Sequence, residues 1–304
     1  FGDFHRLERN YGHQTPSGWK HNSEIALIPI TGMITSGRSQ APGLFGGSLN
    51  AGSETIIAQL EEAADDSNVK AIVIRVDSPG GSAFASDQIW RAVELAKREK
   101  PVIVSMGGVA ASGGYYVAAG ADRIFAEDTT ITGSIGVYSG KFNLSGLASM
   151  LHVNIETDDR GKNAGLYSSF TSWDDEQRKK MEDNVEDTYI RFKTVVSEGR
   201  SLPMETVETI AQGHVWSGTK AKEIGLVDNI GGLFEAIEYA KEEANITFGG
   251  STLVQYEAGS SNSLYKFEVK MQEALTHPIE RDISFLQELS KENCWLIEPT
   301  LRIY

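Results

Sequence analysis

An α/β fold with mainly parallel strands is what this 304-residue sequence predicts, and three observations predict it. Short apolar runs rich in β-branched residues recur along the chain, the clearest being Val69-Lys-Ala-Ile-Val-Ile-Arg-Val76. Such near-continuous runs mark strands buried on both faces of a parallel sheet. Between them lie stretches with apolar residues at helical spacing, such as Ile56, Ile57, Leu60 and Ala64, so strand and helix alternate. Finally, two strands run into glycine-rich turns that open helices, Asp77-Ser-Pro-Gly-Gly-Ser82 and Met106-Gly-Gly-Val-Ala-Ala-Ser-Gly-Gly114.

Taken in order, residues 1–22 are polar and aromatic without period and read as a leader or linker. Ile25-Ala-Leu-Ile-Pro-Ile30 is the first strand, its proline marking an edge or a strand end. Residues 31–52, with Gly32, Gly37, Gly43, Gly46 and Gly47, read as a long loop. Ser53 then caps a helix. Val69–Val76 is followed by a helix over 85–98, with Ile89, Val93 and Ala96 on one face. Pro101–Ser105 is the next strand, and a short helix follows Ser112. Arg123–Ala126 and the stretch Thr130–Val137 come next, then a helix over 144–151 and a strand over 153–157. Ser172 with Asp175 opens a long helix to about Glu198, on which Met181, Val185, Tyr189, Phe192 and Val196 keep helical spacing. Two short helices, a helix over 233–244 and a last strand over 252–256 complete the domain. A Gly-Ser-Ser-Asn-Ser run from Gly259 opens a C-terminal extension.

Composition excludes several classes. Hydrophobic content of 40% and charged content of 23% are those of a globular domain. A net charge of −14 argues against nucleic acid or an anionic lipid surface as partner. Cys294 is the one cysteine, so no intrachain disulfide forms. No stretch approaches the ~18–20 apolar residues of a membrane span. The chain opens on Phe1 without a signal-peptide pattern, and the expectation is a fragment or processed form with an anchor or further domains upstream.

Ser112 sits where a strand gives way to a helix, among residues too small to shield its hydroxyl. Glycines admit a substrate backbone, and the amides of a helix start favour developing negative charge, as a nucleophilic serine requires. The bland reading is a tight turn where bulk would not fit. The Asp77–Ser82 turn belongs at the same sheet end, where the amide of Gly113 with that of Gly80 or Gly81 can form an oxyanion hole. There is no Gly-Lys-Ser/Thr and no dinucleotide fingerprint, so no phosphate-bearing cofactor is expected, and no metal. A serine needs a base. None of the six histidines sits in a triad-like setting, though His152 and His214 stay open. A desolvated lysine is the other option. Lys162, in Arg160-Gly-Lys-Asn-Ala-Gly-Leu166, stands out only weakly from an ordinary loop lysine.

Four motifs, in order, carry a resemblance: Val73-Ile-Arg-Val-Asp-Ser-Pro-Gly-Gly-Ser82, Ala110-Ala-Ser-Gly-Gly-Tyr-Tyr116, Ile131-Thr-Gly-Ser-Ile-Gly136 and Ala211-Gln-Gly-His-Val-Trp-Ser-Gly218. Over roughly residues 23–256 the chain resembles the signal peptide peptidase A (protease IV) family. The resemblance implies a crotonase/Clp-protease-like ββα superhelical domain at 23–256, with a helical C-terminal extension at 257–304. It implies a serine endopeptidase with a Ser–Lys dyad: Ser112 as nucleophile, Lys162 as base, Ser134 helping to hold the lysine, and the Ser-Pro-Gly-Gly turn as oxyanion segment. Lys162 matches the base of single-domain members, 50 residues after Ser112. Longer members take the lysine from a first domain and the serine from a second, and on that pattern Lys162 is incidental. The resemblance further implies extended apolar peptide substrates such as remnant signal peptides, a homo-oligomer, no cofactor, and membrane association in the cell envelope with an extracytoplasmic active site. Two other classes stand beside it. One is a crotonase-like acyl-CoA enzyme, which would bind CoA; the other is an inactive peptide-binding scaffold, which would bind without cleaving.

Overall fold

A computed structural model describes residues 23–39, 50–246 and 251–255. The leader at 1–22 and the extension at 257–304 lie outside the described residues. In chain order the elements are β1 (Ser23–Thr31), β2 (Met33–Thr35), β3 (Asn50–Gly52), α1 (Ser53–Asp65), β4 (Val69–Ser78), α2 (Ala83–Ala96), β5 (Val102–Ala111), α3 (Gly113–Ala118), β6 (Arg123–Ala126) and β7 (Ile131–Gly133). They continue with α4 (Ser145–Met150), α5 (Asp175–Arg200), α6 (Met204–Ile210), β8 (Val215–Ser217), α7 (Gly218–Glu223), β9 (Asn229–Ile230), α8 (Leu233–Glu243) and β10 (Ser251–Gln255).

The main sheet runs β10-β1-β4-β5-β6-β9, all parallel, with β7 joining β5 in parallel and β8 joining β7 antiparallel. Alternation along β4 explains its near-continuous apolar run. Ala71 and Val73 pack under α8 with Ile237 and Ala240, while Ile72, Ile74 and Val76 face the larger core built with α1, α2 and α3. Both faces are covered, so both sets of side chains are apolar.

Several expectations are corrected. β1 lies between β10 and β4 rather than at an edge, with Pro29 paired opposite Arg75 two residues before the strand ends at Thr31. The loop read over 31–52 contains β2 and β3, a parallel pair too short to show a period. Ser53 is the first residue of α1 and not its cap, a position held by Gly52 without a side-chain capping bond; the Ser53 hydroxyl donates to Gln88 Oε1. Asp174, not Ser172, caps α5, in a reciprocal box with Gln177. No strand forms over 153–157: Val153 and Ile155 alternate with polar residues, but both are exposed and no strand among the described residues pairs with them.

β5 does not stop at Ser105. It pairs with β6 over Ile103–Ser105, then shifts register and pairs with β7 over Val109–Ala111. The change of partner happens at Gly107-Gly108. A Cβ on Gly107 would lie 2.9 Å from Asp77 Cγ, so only glycine lets the strand pass there. Asp77 Oδ1 accepts the Val109 N–H at 3.1 Å, and the Thr132 hydroxyl donates to the Ala110 carbonyl at 2.7 Å. The bulge thus aims the last residues of β5 out of the main sheet.

Candidate active site

Ser112 follows directly on β5 with φ 51° and ψ −119°. An L-residue pays roughly 1–3 kcal/mol to sit there, and the surroundings hold it. Its N–H donates to the Gly133 carbonyl of β7 at 2.9 Å, and its carbonyl accepts the Tyr116 N–H at 2.8 Å. Every residue of α3 is buried, so the helix behind Ser112 cannot yield. Ser112 itself is half-buried at the end of a sharp strand-to-helix turn that exposes its hydroxyl.

The Ser78–Ser82 turn comes against it. A Cβ on Gly80 would lie 2.7 Å from Gly113 N and 2.9 Å from Ser112 Cβ. Gly80 and Gly81 have φ 104° and 152°, which glycine alone adopts freely. The turn is strapped to β2: Ile34 N–H donates to Gly80 O at 2.8 Å, and Ser82 N–H donates to Ile34 O at 2.9 Å. The Gly80 N–H donates to Ser78 Oγ at 3.1 Å and is spent. The N–H groups of Gly81 and Gly113 find no acceptor among the described residues, and a Cβ on Gly113 would stand 3.2 Å from Gly81 N. Of the amides read as candidate oxyanion donors, these two are therefore free beside Ser112.

Ser112 and Ser134 line one open cleft of about 1000 Å³. Ser134 also has a positive φ, 49°, and its N–H donates to His214 O at 2.7 Å. One wall is the segment Gly136–Ser139; the other is α5, through Met181, Val185 and Tyr189 among others. These α5 residues follow helical spacing and read from sequence as a core face. Met181 is buried, but Val185 and Tyr189 are half-buried against the cleft. Their period is that of any packed helix, so sequence offered no signal that this face lines a cleft. Met33, also in the lining, comes from the stretch read as a long loop, and Trp173 from the stretch read as the start of the long helix.

No lysine is among the described residues lining the cleft. Lys162 lies in a turn outside α5, tied to the first turn of that helix by Gln177 Nε2, which donates to its carbonyl at 3.4 Å. Its side chain is 80% exposed, and Nζ stands 3.4 Å from Glu176 Oε2. Lys141 places Nζ over the ring of Trp173, 5.4 Å from its centroid, and donates to the Leu166 carbonyl at 3.2 Å; it is not among the residues lining the cleft. His152 is exposed, and His214 turns Nδ1 toward Ala211 O at 2.7 Å; neither lines the cleft. No helix among the described residues is long and apolar enough to cross a membrane.

A parallel α/β sheet whose central strand bulges outward, delivering a strained serine beside two free amides, is the arrangement of the Clp-protease-like hydrolases. The model of the Clp protease family matches residues 45–132, and that of peptidase family S49 matches residues 94–247, half of the chain. The chain is 40% identical over 241 residues to the chloroplastic serine protease SPPA of Arabidopsis thaliana, and 39% identical over 240 residues to Protease 4 of Haemophilus influenzae. These matches cover 79% and 78% of this chain but 35% and 38% of the relatives, so it spans little over a third of their length. A relative in Synechocystis sp. is 30% identical over 227 residues, covering 73% of this chain and 75% of its own. The chain belongs to peptidase family S49.

Proposed function

We propose that this chain is a serine endopeptidase domain with Ser112 as its nucleophile. The observation that carries the reading is the strained Ser112 turn set against the free amides of Gly81 and Gly113 in an open cleft. Ser112 Oγ attacks a peptide carbonyl while its proton passes to a neutral lysine Nζ. The carbonyl oxygen becomes an oxyanion between the Gly113 and Gly81 amides, and collapse breaks the C–N bond as the lysine returns the proton to the leaving amine. Water, activated by the same lysine, then hydrolyses the acyl-enzyme. Ser134, on the same cleft, helps hold the lysine.

Lys162 is the lysine of the proposed dyad. Its exposed side chain, which reaches Glu176 and does not line the cleft of its own chain, supports delivery of the base to Ser112 of a second copy. Apolar lining from Met33, Val137, Trp173 and Val185 supports extended apolar peptides, remnant signal peptides among them, as substrates. A homo-oligomer, and membrane attachment with the site facing away from the cytoplasm, complete the proposal.

Hydrolysis of a fluorogenic apolar peptide by parent, Ser112→Ala and Lys162→Ala chains tests it. Activity in the parent and in neither variant is expected. Mixing the two inactive variants regains activity if the dyad forms between copies. A parent that neither cleaves peptide nor takes a serine-directed phosphonate at Ser112 would sink the reading.

A further inference from the structure

Ser134 owes its backbone geometry to a neighbouring segment, and that segment is tied down from the cleft wall. Its φ of 49° is held by its N–H to His214 O at 2.7 Å, while Gly213 N–H donates to Ile135 O at 2.9 Å. The segment 212–214 thus clamps 134–135 by two reciprocal backbone bonds. The clamp is itself strained at Gln212, whose φ is 56°. An L-residue holds that conformation only where its surroundings impose it. What imposes it is Tyr189 of α5: its hydroxyl accepts the Gln212 N–H at 3.0 Å. The Tyr189 ring lines the same cleft as Ser112 and Ser134 and carries Lys193 Nζ 4.3 Å from its centroid. Lys193 is fastened to Glu208, to which Gln212 Nε2 also donates at 3.3 Å. Ring, cation and carboxylate thereby fix where the Tyr189 hydroxyl stands.

We propose that Tyr189 is a positioning residue: through the Gln212 amide it keeps segment 212–214 in register with β7, and so keeps Ser134 at its place in the cleft. This rests on the peptidase reading only for its kinetic consequence. The structural consequence stands apart from activity.

The test is Tyr189→Phe, which keeps the ring against the cleft and removes only the hydroxyl. One hydrogen bond of this kind corresponds to roughly two- to tenfold in rate. The expected result is that fall in kcat on a fluorogenic apolar peptide, with KM within about twofold because the lining ring is retained. In a Ser134→Ala background the same change produces no further loss, since the route runs through Ser134. An unchanged kcat, a loss confined to KM, or an equal loss in the Ser134→Ala background overturns the proposal. A crystal structure of Tyr189→Phe supplies the second arm. Movement of 212–214 with relaxation of the Ser134 φ supports the proposal. An unmoved segment with Ser134 still near 49° overturns it, whether or not the parent cleaves peptides.

Discussion

Gly80→Ala tests the architecture of the site more sharply than loss of the nucleophile does. The added Cβ would lie 2.7 Å from Gly113 N, 2.9 Å from Ser112 Cβ and 3.0 Å from Ala111 O, against 3.4 Å or more in ordinary contact. Two of the three atoms are backbone and the third is the first side-chain carbon, so no flexible tip can swing aside. Relief requires the two turns to part by about 0.5–1 Å, and catalytic geometry tolerates roughly 0.5 Å. A displacement of that size near the reacting atoms costs on the order of 100-fold in rate, and loss of one oxyanion donor costs about 10²–10³. We expect kcat/KM on an apolar peptide to fall by at least ~100-fold, and phosphonate labelling of Ser112 to slow in parallel. The φ of 104° adds a strain of about 1–3 kcal/mol for an L-residue. Each kcal/mol lowers Tm by roughly 2–4 °C in a domain of this size. Gly37→Ala is the control, with φ 85° and nothing within 4 Å of its Cβ: it should lose stability and keep its activity. Activity of Gly80→Ala within about threefold of the parent would refute the placement of the two turns.

Gly113→Ala would set a Cβ 2.4 Å from the buried Ser86 Oγ, and should inactivate the chain; adding Ser86→Ala removes that atom and should restore part of the stability, read as Tm. Tyr115 is fully buried with its hydroxyl donating to Leu226 O at 2.8 Å. Tyr115→Phe leaves that carbonyl unpaired and should cost about 1–3 kcal/mol in denaturant unfolding, with specific activity per folded molecule unchanged. Asp122 is exposed as a residue, but partial desolvation of its carboxyl, against the opposing Val102 amide and Lys97 charge, pushes it above its ordinary range. A carboxyl raised on folding contributes stability below the carboxylate range that is lost as pH rises through its folded value. Asp122→Asn should therefore raise Tm at pH 7 relative to the parent, and the gap should close on acidification; a gap independent of pH would contradict this.

The elements with strong local signals were legible. Val69–Val76 announced a strand buried on both faces, and α5 announced itself by period and by an acidic start. The strand-to-helix turn at Ser112 was legible because strand, small residues and glycine sit next to each other in sequence. The ends of elements were less so. β5 runs on through Gly107-Gly108, where the usual meaning of paired glycines is overridden by Asp77 and by the arrival of β7. The choice between Gly80 and Gly81 depended on the Ser78 hydroxyl, which occupies one amide and leaves the other. Neither the clamp at 212–214 nor the cleft face of α5 could be read, because each is made by residues far apart in the chain and dressed in ordinary helical or turn patterns.

The straps that fix the site are all long-range: Ile34 to Gly80, Ser112 to Gly133 and Ser134 to His214. Closing such loops is the slow, entropically costly part of folding. A nascent chain that has just released Ser112 has neither β7 to hold it nor segment 212–214 to set Ser134. On the proposed function, proteolytic competence is then a late property of the molecule, arriving after its helices. A chain still being made is spared its own nucleophile, and in refolding, helical signal should return ahead of turnover.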